Sequence, residues 1–243
     1  MNFIVDKDEE QKVYESLLEN NLNQDVIAEV SRAIALNQKG TKMIPATRGM
    51  FDIVSQVENP NQTWLVESFD YYFQIGESRT NTRTDFILPG QSKIVTEIGF
   101  SADRIVNNVE IIIENVKWKK VSDFASLYEK MVQFDYENVS IQRSSVEKSG
   151  ETLDVTFLKF DIINKTSFNY WSPKFHVLIY KDNQLVNVQQ VVLDSISSNE
   201  VASKSLAIYE KLPLKSQVQI YPDINILDPD VIKGFGNGSG ELK

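Results

Sequence analysis

The chain has 243 residues, a formal net charge of −9 and no cysteine. This length fits one large domain or two small ones, and an apolar fraction of 42% suffices for a packed core. The acidic balance disfavours nucleic-acid binding, because an acidic surface repels phosphate backbones. Without cysteine the chain has no disulfides, thiol catalysis or thiolate metal sites. It also contains no apolar run of about 18 residues and does not start like a signal peptide.

Residues 1–45 are predicted to form a short helical segment. Asp6 and Glu9 have the spacing of a capping box, and Asn37 and Gly40 are typical of a helix end. The second predicted helix carries one apolar stripe: Val26, Ile27, Val30, Ala33 and Ile34. Since a short helical pair needs a partner surface, we expect it either to pack on the neighbouring β domain or to mediate homo-oligomer formation.

From residue 49 the hydrophobic period changes to that of a β-strand. The clearest run has one apolar face, formed by Phe69, Tyr71, Phe73 and Ile75. Turn sequences at residues 58–61 and at Pro89 and Gly90 separate it from its neighbours. These alternating segments predict a first β-sandwich domain over residues 46–120.

Residues 121–233 are predicted to form a second β-sandwich domain. A short helix is expected near its start, where apolar residues recur at helical spacing: Phe124, Leu127, Tyr128 and Met131. Further on, Phe175, Val177 and Ile179 alternate with the residues between them, and residues 181–184 indicate a hairpin connection. The glycine-rich residues 234–243 are predicted to be a flexible tail.

Two pairs of segments indicate an internal repeat. Asn59 and Asn164 each precede a long strand and lie 105 positions apart, while Val109 and Val218 each begin a later strand and lie 109 positions apart. One offset of about 105 residues therefore aligns the start and the end of both regions, which favours duplication. The predicted fold is mainly β: two tandem immunoglobulin-like β-sandwiches behind a helical N-terminal segment.

The stretches at residues 162–166 (IINKT) and 175–182 (FHVLIYKD) resemble the FxLYD-type immunoglobulin-like domains of bacterial envelope proteins. Residues 57–61 (VENPN) and 86–90 (FILPG) give the first region a similar outline. The resemblance covers residues 49–118 and 150–228. It implies an extracytoplasmic protein that is tethered to a membrane by a segment outside this chain and has no known catalysis.

The residues predict neither an enzyme nor a cofactor site. His176 is the only histidine, and its place on a predicted strand favours a structural role over catalysis. Asp223, Asp228 and Asp230 could offer oxygen ligands to calcium, but aspartates next to prolines are also common in plain turns. Both interpretations stay open at this point.

Equivalent corners of the two regions are flanked by four aromatic residues: Trp64, Tyr72, Tyr170 and Trp171. If exposed, such rings could stack on a glycan or a protein partner; buried, they would close the ends of the sandwiches. The expected function is a non-catalytic structural or protein-interaction module with a protein partner. The alternative is a carbohydrate-binding or adhesive module that uses these rings.

Overall fold

The computed structural model describes residues 32–106, 108–122, 124–148 and 151–233. Contacts divide the chain after Ala35, and the residues from Leu36 onward form one compact unit. The predicted mainly β fold is confirmed, because the described residues form antiparallel sheets and one short helix. No helix in these ranges is long and apolar enough to cross a membrane.

The first half of this unit contains two sheets. Its strands are β1 (Asn37–Pro45), β2 (Met50–Glu58), β3 (Trp64–Ile75), β4 (Ser78–Arg79), β5 (Arg83–Ile87), β6 (Ser92–Ser101) and β7 (Val109–Lys120). One sheet has the order β1-β2-β6. In the other, β3 pairs with β4 and β5 on one side and with β7 on the other.

The second half begins with the helix α1 (Phe124–Met131), which confirms the helix predicted from the spacing of its apolar residues. The strands that follow are β8 (Phe134–Lys148), β9 (Glu151–Asn164), β10 (Asn169–Trp171), β11 (Lys174–Lys181), β12 (Gln184–Val192), β13 (Ser195–Ile196), β14 (Val201–Ile208), β15 (Gln217–Asp223) and β16 (Ile232–Lys233). They form three sheets with the orders β14-β9-β8, β12-β11-β15 and β13-β10-β16. Two 3-10 turns, Thr47–Gly49 and Pro229–Val231, complete the elements.

The two halves share a pairing order. In the first, β2 lies between β1 and β6, as β9 lies between β8 and β14 in the second. Likewise β3 lies between β5 and β7, as β11 lies between β12 and β15. Val109 begins β7 and Val218 lies in β15, so both belong to strands with the same neighbours.

Asn59 and Asn164 occupy the same corner in the two halves, and both are fully buried. The Asn59 amide donates to the carbonyls of Trp64 and Leu88 over 2.6 and 3.3 Å. The Asn164 amide donates to the carbonyls of Phe168 and Ser197 over 2.7 and 3.0 Å. Each side-chain oxygen accepts the backbone N–H two residues later at 3.0 Å. Each asparagine therefore bridges the end of one strand to two other chain segments.

Three hydrophobic clusters fill the unit. The first lies between the two sheets of the first half and includes Ile53, Phe69 and Phe73. The second lies in the second half, and it also takes in Leu65 and Leu88 from the first half. The third is small and joins the halves, since Ile44 and Val54 contact Leu178 and Val188 in it. The outer faces of the β1-β2-β6 sheet and the β12-β11-β15 sheet therefore pack against each other.

The predicted helical segment over residues 1–45 is wrong for residues 37–45, which form β1. These residues form a strand because they pair with β2. Met43 lies opposite Ile53, and Met43 and Ile44 are buried. Gly40 does not end a helix. It has a φ of +60° beside a register shift between Lys39 and Thr41, a conformation that glycine adopts without steric cost. The predicted helices up to residue 31 and the predicted tail 234–243 lie outside the described residues.

Candidate functional site: a buried ionic cluster between the halves

Five ionisable residues from four strands meet between the two halves. Lys93 lies on β6 and Asp85 on β5, both in the first half. Lys174 and His176 lie on β11, two residues apart and therefore on the same face of that strand. Asp223 ends β15 directly opposite Lys174 in the strand register. These five residues are called the ionic cluster below.

Lys93 connects the halves through its ammonium group. Its Nζ lies 2.8 Å from Oδ1 of Asp223 and also forms an ion pair with Oδ1 of Asp85. The same Nζ lies 3.5 Å from the centre of the Phe86 ring, in reach of a cation–π attraction. The side chains of Lys93 and Asp223 are only 5% and 6% exposed. A charge this buried depends on its partners, because water cannot solvate it.

Asp223 is the centre of the cluster. Its Oδ2 accepts a hydrogen bond from Nε2 of His176 over 3.1 Å and forms an ion pair with Lys174. Burial alone would raise the pKa of Asp223. The hydrogen bond from His176 and the charges of Lys93 and Lys174 outweigh burial and hold the pKa well below its usual range. Asp223 is therefore ionised at neutral pH.

The ionised Asp223 requires a proton on the histidine nitrogen that faces it. A carboxylate only accepts hydrogen bonds, so Nε2 of His176 must carry the proton that it donates. In a neutral imidazole this leaves Nδ1 as a bare acceptor. The ring is 4% exposed, and among the described residues Nδ1 has no hydrogen-bond partner. A buried polar atom without a partner is rare, so this one needs an explanation.

A cavity of about 140 Å³ lies beside the ionic cluster. Most of its wall is aromatic or aliphatic, formed by Phe86, Leu88, Tyr128, Leu178, Tyr180 and Ile224. Its polar wall is formed by Gln56, Gln91, Ser92, Lys93, His176 and Asp223. His176 also lines a second, more polar cavity together with Arg83 and Lys174. His176 therefore contributes to the walls of two cavities.

A second polar contact joins the halves at Thr47. Its hydroxyl donates to the carbonyl of Tyr209 over 2.8 Å and lies 3.4 Å from Oε1 of Glu210. Burial raises the pKa of Glu210, and the negative charge of Asp52 adds to this effect. Burial likewise raises the pKa of Asp52, although the N–H of Gly99 opposes the shift by donating to its carboxyl at 2.9 Å. These two carboxylates destabilise each other when both are ionised.

The four predicted recognition residues do not form one surface. Tyr170 is fully buried, and its hydroxyl donates to the carbonyl of Met131. It belongs to the core of the second half, because its ring packs on Phe134 at 5.8 Å between centroids. The interpretation of Tyr170 as an exposed ring is therefore wrong.

The other three rings are each paired with a cation of their own. Trp171 is 46% exposed, and Nζ of Lys233 lies 4.2 Å from its ring centre. Trp64 and Tyr72 are half-buried. Nζ of Lys120 lies 5.9 Å from the ring centre of Trp64, and Cζ of Arg79 lies 5.1 Å from the ring centre of Tyr72. None of the ring contacts joins two of these residues. They are separate cation–π pairs, not a stacking platform.

The three aspartates considered for calcium do not converge. Asp223 is already paired with three basic side chains in the ionic cluster. Asp228 accepts the backbone N–H of Asp230 over 3.0 Å, which is ordinary turn chemistry. In the ranges that the structure describes, no three His, Cys, Asp or Glu residues are grouped to hold a metal ion.

Sequence reasoning missed the ionic cluster. The available signal was three polar residues, Lys93, Lys174 and His176, within otherwise strand-forming and largely apolar segments. Alternation places Lys174 and His176 on one face of β11, but it could not show that this face packs against the first half. The sequence matches no protein-family model, and no curated protein is similar enough to count as a relative.

Proposed function

We propose that the chain is a non-catalytic structural or protein-interaction module that holds two β-sandwich units in one fixed arrangement. The observation that carries this proposal is the connection between the halves. An apolar contact between two sheets and the buried Lys93–Asp223 ion pair both cross the same boundary. Apolar packing supplies attraction without direction, while a buried ion pair fixes register and orientation. A spacer or a scaffold requires such a junction.

The two units are proposed to be tandem immunoglobulin-like sandwiches that arose by duplication. Their shared strand-pairing order and the matching hydrogen bonds of Asn59 and Asn164 support this. In each unit one three-stranded sheet faces the sheet that has β3 or β11 at its centre. This arrangement resembles the two facing sheets of an immunoglobulin fold. The proposed boundaries remain 46–120 and 121–233, with β1 added to the first unit.

The proposed location is outside the cytoplasmic membrane, as part of a tethered envelope protein. This part of the proposal rests on the resemblance of residues 162–166 and 175–182 to FxLYD-type domains. A module of this kind holds other parts of a protein in position and does not catalyse a reaction. The internal pairing of the ionic cluster agrees with this, because Asp223 and Lys93 already satisfy each other and have no free charge to offer a substrate.

A distance measurement by pulsed electron paramagnetic resonance tests the fixed arrangement. The chain has no cysteine, so Asn81→Cys and Lys215→Cys, at exposed positions in the two halves, place one spin label on each. We expect a single narrow distance distribution. Lys93→Met should broaden it, because Asp223 and Asp85 lose the charge between them.

Lys119→Met is the matched control for that substitution. Nζ of Lys119 lies 3.3 Å from Glu67, but both side chains are more than half exposed and both belong to the first half. An exposed pair contributes little to stability, so this variant should keep the narrow distribution. A broad or two-peaked distribution in the unsubstituted chain would rule out the fixed spacer.

A further inference from the structure

The outer edge of β7, in the first half, has no strand partner among the described residues. β7 pairs with β3 from Val109 to Lys120, and no other strand in these ranges pairs with it. A strand that is paired on one side only presents unpaired backbone N–H and C=O groups along its other side. With 12 residues and no proline, this edge is long enough to accept a further strand.

A bulge in β7 brings acidic and basic side chains to one face of the strand. Glu114 lies opposite Asp70 and Lys117 opposite Ser68, so β7 has two residues between these pairs where β3 has one. The bulged Asn115 has a φ of +52°, and its amide donates to Asp70 over 2.9 Å. Because the bulge shifts the alternation of side chains by one residue, the outer face of β7 is formed by Glu110, Ile112, Glu114, Lys117 and Lys119. The four charged side chains of this face are exposed.

The inner face of β7 is apolar and incompletely covered. Val109 and Ile111 are buried, whereas Ile113, Val116 and Trp118 pack on the core of the first half and remain half-buried. An open groove runs beside this edge, and it is lined by residues 109–113 of β7 and by Gln38, Gly40 and Thr41 of β1. A strand added to β7 would therefore cover apolar surface as well as pair with the backbone.

We propose that β7 pairs antiparallel with β7 of a second copy of this chain, so that the two sheets that contain β3 join into one sheet across a two-fold axis. Glu114 of one copy lies opposite Asn115 of the other, and Glu110 lies opposite Lys119 at both ends of the pair. Charged side chains on an edge strand repel most other strands. Here the acidic half of β7 meets the basic half of its copy, and this charge complementarity selects a second copy as the occupant.

The same register matches the apolar residues of the inner face. Ile111 lies opposite Trp118 of the second copy, and Ile113 lies opposite Val116, so the two inner faces form one continuous apolar row. A shift by one residue would place charged side chains against apolar ones. Parallel pairing in register would place like charges opposite each other. The antiparallel register with Glu114 opposite Asn115 is therefore favoured on both faces.

Two effects oppose this dimer, and both are small. Lys119 has a partner within its own chain, Glu67 at 3.3 Å, but both side chains are more than half exposed. An exposed pair contributes little, so Lys119 can exchange Glu67 for Glu110 of the second copy. The second effect is repulsion between two chains that each carry a net charge of −9. Salt at about 0.15 M screens this repulsion beyond about 8 Å.

Sedimentation equilibrium at that salt concentration measures the dimer. We expect a dissociation constant on the order of 100 μM, because one pair of edge strands makes a small interface. Glu110→Lys puts a lysine opposite Lys119 at both ends and should weaken the dimer at least about tenfold. Lys119→Glu should weaken it similarly, and the double variant, which restores opposite charges at both ends, should recover the dimer. The matched control is Glu129→Lys, at an exposed position of α1, which should leave the dissociation constant unchanged.

Disulfide cross-linking tests the register, because the chain has no cysteine. Ile112 and Lys117 lie opposite each other in the proposed pair. A mixture of the Ile112→Cys chain and the Lys117→Cys chain should form a disulfide-linked dimer on oxidation, since opposite residues in a sheet have the Cα separation of a disulfide. Either variant alone should stay unlinked, because its two cysteines would lie about 17 Å apart along the pair.

The other outcomes overturn the proposal. A chain that stays monomeric up to about 1 mM does not pair through β7. A dimer that the single charge reversals do not weaken, or that the double variant does not recover, uses another surface. Cross-linking of either cysteine variant with itself as readily as in the mixture shows a different register. Diluting the spin-labelled chain with excess unlabelled chain keeps the distance measurement described above independent of dimer formation.

Discussion

The Lys93 ammonium and the Asp223 carboxylate lie 2.8 Å apart, although 130 positions separate them in the chain. Neither side chain is accessible to enough water to be solvated alone. Each charge also has a partner in its own half, Asp85 for Lys93 and Lys174 for Asp223, and the Lys93–Asp223 pair adds a contact that crosses the boundary. The pair favours one arrangement of the halves, since a shift or rotation would remove the contact between these two buried charges.

Acid should weaken the fold through Asp223. Its pKa in the folded state lies below the value of about 3.9 expected in the unfolded chain. A carboxyl with a lowered folded pKa stabilises the fold above its unfolded pKa, and this contribution is lost as the pH falls from about 4 towards the folded pKa. We expect the free energy of unfolding, measured with urea between about pH 2 and pH 7, to fall below pH 4. In the Asp223→Asn variant the loss of unfolding free energy below pH 4 should be smaller. An equal loss in both proteins would contradict the assignment of this loss to Asp223.

Asp52 should behave in the opposite way, because burial raises its pKa. The folded state then binds a proton more tightly than the unfolded state, so ionised Asp52 costs stability at neutral pH and the cost disappears as the pH falls towards about 4. Asp52→Asn keeps an oxygen to accept the N–H of Gly99. We expect this variant to unfold at a higher temperature than the unsubstituted chain at pH 7 and at the same temperature near pH 4.

The exposed Asp103 supplies the control for that comparison. Asp103→Asn removes the same charge at the surface, where substitutions away from special contacts change stability by less than about 0.5 kcal/mol. A variant Asp52→Asn that is less stable than the unsubstituted chain at pH 7 would show that the ionised carboxylate is needed in the fold.

The two corner asparagines should be equally important. Asn59→Ala and Asn164→Ala each remove hydrogen bonds to two carbonyls and to one backbone N–H in a fully buried corner. Each substitution should lower the free energy of unfolding by about 2–4 kcal/mol, because the groups left behind are buried without partners. Urea unfolding of the two variants beside Asn81→Ala, at an exposed position, measures the difference. A large loss for one asparagine alone would contradict their equivalence.

The strands were predictable because their side-chain alternation is strong. Phe69, Tyr71 and Phe73 are buried, as their period of two indicates, while Asp70 and Tyr72 between them are only partly buried. The helix α1 was predictable for the same reason, with a different period. Local patterns of this kind need no knowledge of the rest of the chain.

Other features depended on partners that are distant in the sequence. Residues 37–45 become a strand because β2 pairs with them, and Gly40 looks like a helix end until that partner is known. Tyr170 is buried because α1 supplies an acceptor for its hydroxyl 39 positions earlier. The ionic cluster is the extreme case: its five residues come from four strands, and each sequence segment alone gives only an isolated charge.

A double-mutant cycle on Lys93 and Asp223 tests the central claim most directly. The free energies of unfolding of Lys93→Met, Asp223→Asn and the combined variant, compared with the unsubstituted chain, give the coupling between the two side chains. A buried, well-aligned pair across the boundary predicts a coupling of about 2 kcal/mol or more. Additive effects within about 0.5 kcal/mol would contradict the claim that this pair joins the two halves.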